Sequence, residues 1–295
     1  MHISDLAKLA RQQFGNDPPQ IRQIVRPVSG LILLRYTQPT ELEATLYEPV
    51  ICLILQGRKT TMLGNRRVAL GPGESLIVSH DLPVVSQVTR ASMAEPYLAM
   101  ILTLDLGMLR SLYAELGGVD RTNGDAHALQ GSRTDPKLMD ALARYLDISH
   151  RPTERHVLGP LYLREIHFRL LMAPHGGMLR KLLRLESSAS QITRAIAWIR
   201  QHYKESILVP ELAKEMGMSV SSFHKYFKEI TATSPLQYQK TLRLLEARRL
   251  LTAEALSVAE TAFRVGYESP TQFSREYTRK FGSAPSRDRL EPVMS

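Results

Sequence analysis

Apolar residues recur along this chain of 295 residues with two different periods, and the change comes near Asp105. Before it they gather in short runs: 31–37 (LILLRYT), 50–57 (VICLILQG), 58–63 (RKTTML), 67–70 (RVAL), 75–79 (SLIVS), 83–89 (PVVSQVT) and 97–104 (YLAMILTL). These runs are rich in β-branched residues and are punctuated by Gly64-Asn65, Gly71-Pro72-Gly73 and Pro83. Short strands at that spacing predict a sandwich or a small barrel. After Asp105 the period is 3.6, which predicts amphipathic helices over 106–116, 135–149 and 158–173. The third carries Leu163, Ile166 and Leu170 at spacings of three and four, a stripe that is ordinarily core but is also a candidate seam for a partner helix. Pro174 and the glycines after it end that helix. The expected organisation is residues 1–175 as one domain, 176–190 as a linker holding a short helix and small polar residues, and 191–295 as an all-helical domain.

Inside the last segment the chain repeats itself. Ser219, Phe223, Phe227 and Pro235 each stand fifty positions before Ser269, Phe273, Tyr277 and Pro285. In the first copy a short helix over 210–216 ends at Gly217, and Ser219 is placed to cap a second helix from Val220 to about Ile230. In the second, a short helix over 258–263 leads through Gly266 to Ser269 and to Pro270 at the first helical position, with Gln272 completing a capping-box pattern. Two short helices joined by a glycine turn, the second opening on small polar residues and bearing cations, is the layout of a helix-turn-helix DNA reader. Helical spacing turns Phe223, Phe227 and Ile230 inward and leaves Ser221, Ser222, His224, Lys225 and Lys228 outside. In the second copy Phe273 and Tyr277 point in, leaving Thr271, Gln272, Ser274, Arg275 and Arg279 outside. Gln pairs with adenine and Arg with guanine in two-pronged fashion, and Lys and Arg also neutralise phosphates. A merely solvated helix face is the competing reading, and the duplicated layout on a basic background weighs against it.

Charge supports that choice. From Lys181 to the end there are 18 Lys and Arg against 12 Asp and Glu, whereas the first 180 residues hold 20 and 17, so +6 of the net +9 falls on the last 115 residues, where the repeat lies. No apolar run reaches the ~18 residues of a membrane span, so no membrane partner is expected. The opening residues, MHISDLAKLARQQFG, contain Asp5 and no continuous apolar core, and a cytoplasmic location is the expectation. The single cysteine, Cys52, lies in an apolar run and excludes an intrachain disulfide or a cysteine-based zinc site.

The segment from Ile192 to Arg287 resembles the double helix-turn-helix domain of the AraC/XylS transcription regulators. VAETAFRVGYESPTQFSREYTRKFGSAPSRDR is similar to that family's C-terminal signature, with Tyr267 and Tyr277 in place of more usual phenylalanines, and LAKEMGMSVSSFHKYFKE matches the first reader. Thr231-Ala232 departs from a more usual Thr-Gly. The stretch from Tyr47 to Thr89 resembles the cupin-like effector domain of one branch of the same family. Enzymatic cupins hold a metal through several histidines and a glutamate; here His80 stands alone, so neither metal nor other cofactor is expected. The resemblance implies an α+β multidomain chain, with an N-terminal cupin-like β-barrel and following helices, then an all-α domain with two helix-turn-helix motifs. It implies a sequence-specific regulator, an activator by expectation, modulated by a small-molecule effector in the barrel. The alternative is a ligand-independent dimeric regulator of the same family. Double-stranded DNA, a homodimer partner and RNA polymerase are the expected partners. Gln56, Arg58 and His80 are the polar residues proposed for an effector, each with a structural role as the plainer reading. An enzyme is not expected: DNA-alkylation repair relatives need several cysteines, and no nucleophile-elbow spacing surrounds Ser79-His80-Asp81.

Overall fold

The computed structural model describes residues 2–15, 20–118, 127–184, 186–254 and 256–288. Residues 289–295 of the expected C-terminal domain lie outside them. The chain divides into two compact units, 1–43 with 47–190 and 191–295 with 44–46. Among the described residues no helix is long and apolar enough to cross a membrane.

The first unit opens with helix α1 (Ile3–Gln12) and continues through β1 (Arg22–Val28), β2 (Leu31–Tyr36), β3 (Glu43–Tyr47), β4 (Val50–Gln56), β5 (Arg58–Leu63), β6 (Arg66–Leu70), β7 (Glu74–Val78), β8 (Leu82–Arg90) and β9 (Tyr97–Thr103). Helix α2 (Leu106–Glu115), strand β10 (Leu129–Arg133), and helices α3 (Pro136–Asp147), α4 (Pro152–Met172) and α5 (Gly177–Leu183) follow. The strands form a six-stranded sheet in the order β1-β2-β9-β4-β7-β10 and a four-stranded sheet in the order β3-β8-β5-β6. The strand pairings resolved residue by residue are all antiparallel. This is the cupin-like arrangement, and it bears out the α+β expectation.

Gly57 makes the passage from one sheet to the other. Its φ of +78° suits glycine, and a Cβ there would stand 2.5 Å from the carbonyl oxygen of Arg90. Strand β4 is buried over Ile51–Leu55 because both of its faces are covered, which is why it reads as one apolar run. Strand β8 alternates, burying Leu82, Val84, Ser86 and Val88.

The expected helix over 158–173 begins earlier, at Pro152, and runs through Pro160. Proline at the first helical position costs no hydrogen bond, and the exposed Pro160 gives up only one. Ile166 and Leu170 are fully buried, so that stripe is core. The apolar residues that α4 exposes are instead Val157, Leu161 and Phe168. Asp105 caps α2, its Oδ1 accepting from the Met108 N–H at 2.9 Å, while its own N–H donates to His167 Nε2 at 2.9 Å. The stretch 176–190, expected as a linker, carries α5, whose Leu179 and Leu182 are buried.

The second unit is helical: α6 (Ser188–Gln201), α7 (Val209–Glu215), α8 (Val220–Thr231), α9 (Pro235–Ala253), α10 (Val258–Arg264), α11 (Pro270–Phe281) and α12 (Pro285–Asp288). It has two cores. Phe227 meets Tyr238 edge to face at 5.6 Å between ring centroids and Phe223 in a tilted contact at 5.7 Å, and all three are fully buried. Leu244, Ala247, Leu250 and Leu251 of α9 pack with Ala262, Val265, Tyr267, Phe273 and Tyr277 in the other. Helix α9 therefore serves both cores, one at each end.

Candidate nucleic-acid interface

The two copies of the repeat fold alike. In each, a glycine with positive φ closes the short helix, Gly217 at +72° and Gly266 at +90°. The following N–H returns to the helix at 2.9 Å, from Met218 to the Ala213 carbonyl and from Tyr267 to that of Ala262. These turn residues are 49 positions apart, not fifty, so the second turn holds one more residue, Glu268, before its capping serine. Ser219 Oγ accepts from the Ser222 N–H at 3.2 Å and Ser269 Oγ from that of Gln272 at 3.3 Å. The capping box expected at Gln272 is half formed, because its side-chain amide turns along the helix to Glu276 Oε1 at 3.4 Å instead of back to Ser269. Glu276, a carboxylate that also accepts from Lys240 and Tyr267, holds the amide there by a charge-assisted bond.

Helices α8 and α11 carry the ten residues singled out from the sequence. Ser221, His224, Lys225 and Lys228 on α8, and Thr271, Gln272, Arg275 and Arg279 on α11, are exposed. Ser222 and Ser274 are half-buried, and Ser274 Oγ donates to the Pro270 carbonyl at 2.8 Å. Among the described residues none of Lys225, Lys228, Arg275 and Arg279 is in an ion pair, although Lys225 leans over the Tyr226 ring at 5.4 Å. Elsewhere on this unit several cations are spent: Lys240 pairs with Glu276, Arg248 with Asp288, Arg249 with Glu246 and Arg264 with Glu254. Cations without carboxylate partners keep their donors for an external anion.

A residue with no signature in the spacing holds the second reader in place. Arg243 on α9 donates from Nε to the Tyr203 carbonyl at 2.6 Å, from Nη1 to that of Gly266 at 2.7 Å, and from Nη2 to those of Lys204 and Glu205 at 3.0 and 2.9 Å. Gln239, one turn earlier, donates to the Tyr203 and Glu205 carbonyls at 3.0 and 2.5 Å. The segment after α6, the middle of α9 and the turn before α11 are thus one rigid junction.

In the first unit the three polar residues named for an effector do not come together. Gln56 accepts from Arg11 and donates to the Pro96 carbonyl at 2.7 Å, and Arg58 is exposed. His80 is buried, with Nδ1 2.7 Å from Ser79 Oγ and Nε2 3.4 Å from the Ala189 carbonyl oxygen. Burial pushes its pKa down to about 4, so the ring is neutral.

A β-domain followed by two helix-turn-helix units that present unpaired cations defines a DNA-binding regulator. Residues 27–178 match the family described as AraC-type transcriptional regulator N-terminus, and 212–290 match a helix-turn-helix domain family. The chain belongs to the AraC family of transcription regulators, and it is a regulator, not an enzyme. It is 26% identical to the HTH-type transcriptional regulator ExsA of Pseudomonas aeruginosa over 82% of this chain and 86% of that protein. It is 32% identical to the activator RhaS of Escherichia coli over 34% of this chain and 36% of that one. Its fold is similar to that of Vibrio cholerae ToxT solved with an unsaturated fatty acid bound, with a TM-score of 0.58 at 10% identity over 92% and 99% of the two chains.

Proposed function

We propose that residues 191–295 bind an operator in duplex DNA through two successive turns of the major groove, one entered by α8 and the next by α11. The observation that carries this reading is the spacing of two alike readers by one helix. Helix α9 has 19 residues and is about 28 Å long at 1.5 Å per residue, close to the ~34 Å between turns of the groove. His224, Gln272 and Arg275 read base edges, Ser221, Ser222, Thr271 and Ser274 support them, and Lys225, Lys228 and Arg279 hold phosphates. Gln272 reads bases only by leaving Glu276, so Arg275, with every donor free, carries most of the discrimination of α11.

Residues 1–175 take up a small-molecule effector and dimerise, and 176–190 join them to the reader. The exposed Val157, Leu161 and Phe168, at spacings of four and seven along α4, are an apolar stripe suited to a second copy of the chain. The bound fatty acid of ToxT supports a ligand role for this fold. The protein acts in the cytoplasm as an activator that engages RNA polymerase once seated on DNA.

The test is operator affinity against salt. Binding is expected to fall steeply as salt rises, and Lys228→Ala to flatten the logarithmic slope by about one unit. Arg275→Ala is expected to lose about 1 to 3 kcal/mol at one half-motif and to relax base preference there. Uniform weakening on every sequence assigns Arg275 to the backbone, and a salt-independent affinity overturns the interface.

A further inference from the structure

Lys59 is where an ordinary β-domain would place an aliphatic residue. Its strand pairs Lys59 with Val88 and Thr61 with Ser86 on one side, and with Leu70 and Val68 on the other, so all six share a face. Lys59 interacts electrostatically with Tyr36 and Cys52 of the other sheet, so this face is turned to the interior between the sheets. On that opposing sheet Tyr36 pairs with Tyr97, and Cys52 with Ile101, four residues along the same strand.

Lys59 is 9% exposed, and its Nζ donates to Tyr47 Oη at 2.5 Å with the Tyr47 ring 5.2 Å below it. Among the described residues it forms no ion pair. An ammonium has three donors, and taking one out of water without a counter-charge is costly. Burial works against its charge and the hydrogen bond to the Tyr47 hydroxyl works for it, with the net direction upward. Two hydroxyls of the same interior are also unspent. Neither Thr61 Oγ1 nor Tyr97 Oη has an oxygen or nitrogen hydrogen-bond partner, the Tyr97 hydroxyl lying beside the Cys52 thiol, and both residues are fully buried. Unsatisfied buried donors at this density are uncommon in folded proteins and call for a specific cause.

We infer that the interior around Lys59 is the effector site and that it takes a small monocarboxylate with an apolar body. This deepens the effector reading above and rests on it. Each group gathered there can donate: the ammonium of Lys59, and the hydroxyls of Tyr47, Tyr97 and Thr61. A carboxylate has two oxygens with about four acceptor positions and one negative charge, which matches one cation and these hydroxyls. A sugar is commonly held by carboxylate or amide acceptors, and this cluster offers only hydroxyl acceptors beside a cation. The rest of the face next to Lys59, Val88 with Ile101 opposite, suits a hydrocarbon. Tyr47 Oη accepts from Lys59, so its own hydrogen is free to join the cation on the same carboxylate oxygen.

The experiment uses the full chain with benzoate and straight-chain monocarboxylates of four to ten carbons, each beside its primary amide, read by calorimetric titration and thermal shift. At least one acid is expected to bind ten or more times tighter than its amide. Lys59→Met, which replaces a buried charge with an apolar side chain of similar length, is expected to keep the fold and lose that preference. Tyr97→Phe is expected to melt at the same or a higher temperature without ligand and to bind the acid several-fold weaker, a combination that loss of packing does not produce. Equal binding of acid and amide, an unchanged acid affinity in Lys59→Met, or no binding by any acid at millimolar concentration overturns the inference. Operator affinity is measured on the same samples with and without glucose and glycerol as neutral probes. If a neutral compound alone shifts it, the effector role stands and the carboxylate site falls.

Discussion

Ala232 and Gly282, fifty positions apart, close the two readers in the same left-handed turn, with φ of +59° and +77° and their N–H groups each 2.8 Å from the carbonyl oxygen four residues back. Glycine adopts that conformation freely, whereas alanine brings its Cβ against the neighbouring carbonyl at about 1 kcal/mol. The first reader therefore carries a strain that the second does not. Ala232→Gly is expected to stabilise the second unit by about 0.5 to 1 kcal/mol without altering DNA affinity, since Ala232 lies at the far end of α8 from the capping serine. Chemical denaturation checks it, and a destabilised variant would show that the turn is not left-handed in solution.

The Arg243 junction makes a second prediction. Gly266 has a φ of +90°, and a Cβ there would lie 2.3 Å from the Lys204 carbonyl oxygen and 2.8 Å from its Cα. Nothing at that contact is a flexible side chain, so Gly266→Ala is expected to cost about 2 kcal/mol or more. Arg243→Met leaves the Lys204 and Gly266 carbonyls without their side-chain donor and those of Tyr203 and Glu205 with Gln239 alone. Its expected effect is loss of affinity for a two-motif operator with little change for a single half-motif, because the spacing of the readers is what it holds. Equal losses on both targets would assign Arg243 to general stability.

Helix-turn-helix geometry was legible in the residues because each of its signals is local: Ser219 and Ser269 cap within three residues, and Phe223, Phe227, Phe273 and Tyr277 keep helical spacing. The seven strands read from the sequence formed within a residue or two of their expected ends. Strand β1 went unread because Arg22, Arg26 and Pro27 break its apolar pattern, and β10 because Gly131 sits where an apolar residue would be expected. There a side chain has no room, since a Cβ would lie 2.7 Å from Val68 Cγ1. Arg243 and Lys59 were illegible for a different reason. Their partners are carbonyls and hydroxyls brought in by other elements, and no spacing along one element records that. The strand period did place Lys59 on the same face as Thr61 and Leu63, and a lysine there was the available clue.

The first unit should weaken in mild acid. Burial lowers the pKa of His80 and of His175 to about 4 and also lowers that of His167. In the unfolded chain these rings take up protons near 6.5, so below that pH the unfolded state binds more protons and stability falls as pH falls, until the folded rings also protonate. For His80 and His175 the window is pH 6.5 down to about 4, and each can remove about 3 kcal/mol across it. Glu165, held below its ordinary value by Arg144 and Arg169 despite burial that works the other way, adds its own loss only below about pH 4.5. Calorimetry at pH 7.5 and pH 5 is expected to show the transition of the first unit moving down, with His80→Gln flattening the dependence. A transition that stays put between those values refutes the neutral buried histidines.

Separating the units tests what the first contributes. A fragment of 188–295 begins at the first residue of α6 and retains the buried Ile192, Ala195, Ile196 and Ile199 together with both aromatic cores, so it is expected to fold and to recognise the operator. In the full chain, two readers joined through dimeric N-terminal units make the second binding event intramolecular. At the effective concentration of a short tether this adds about a hundredfold or more in affinity with no new contact to DNA. An effector changes that gain only if it binds two arrangements of the units with different affinity, so its effect on operator binding is bounded by the difference. Operator affinity is measured for fragment and full chain across protein concentration, with the oligomeric state from sedimentation. The full chain is expected to be dimeric and about a hundredfold tighter. If both are monomers of equal affinity, residues 1–175 neither dimerise the protein nor gate it.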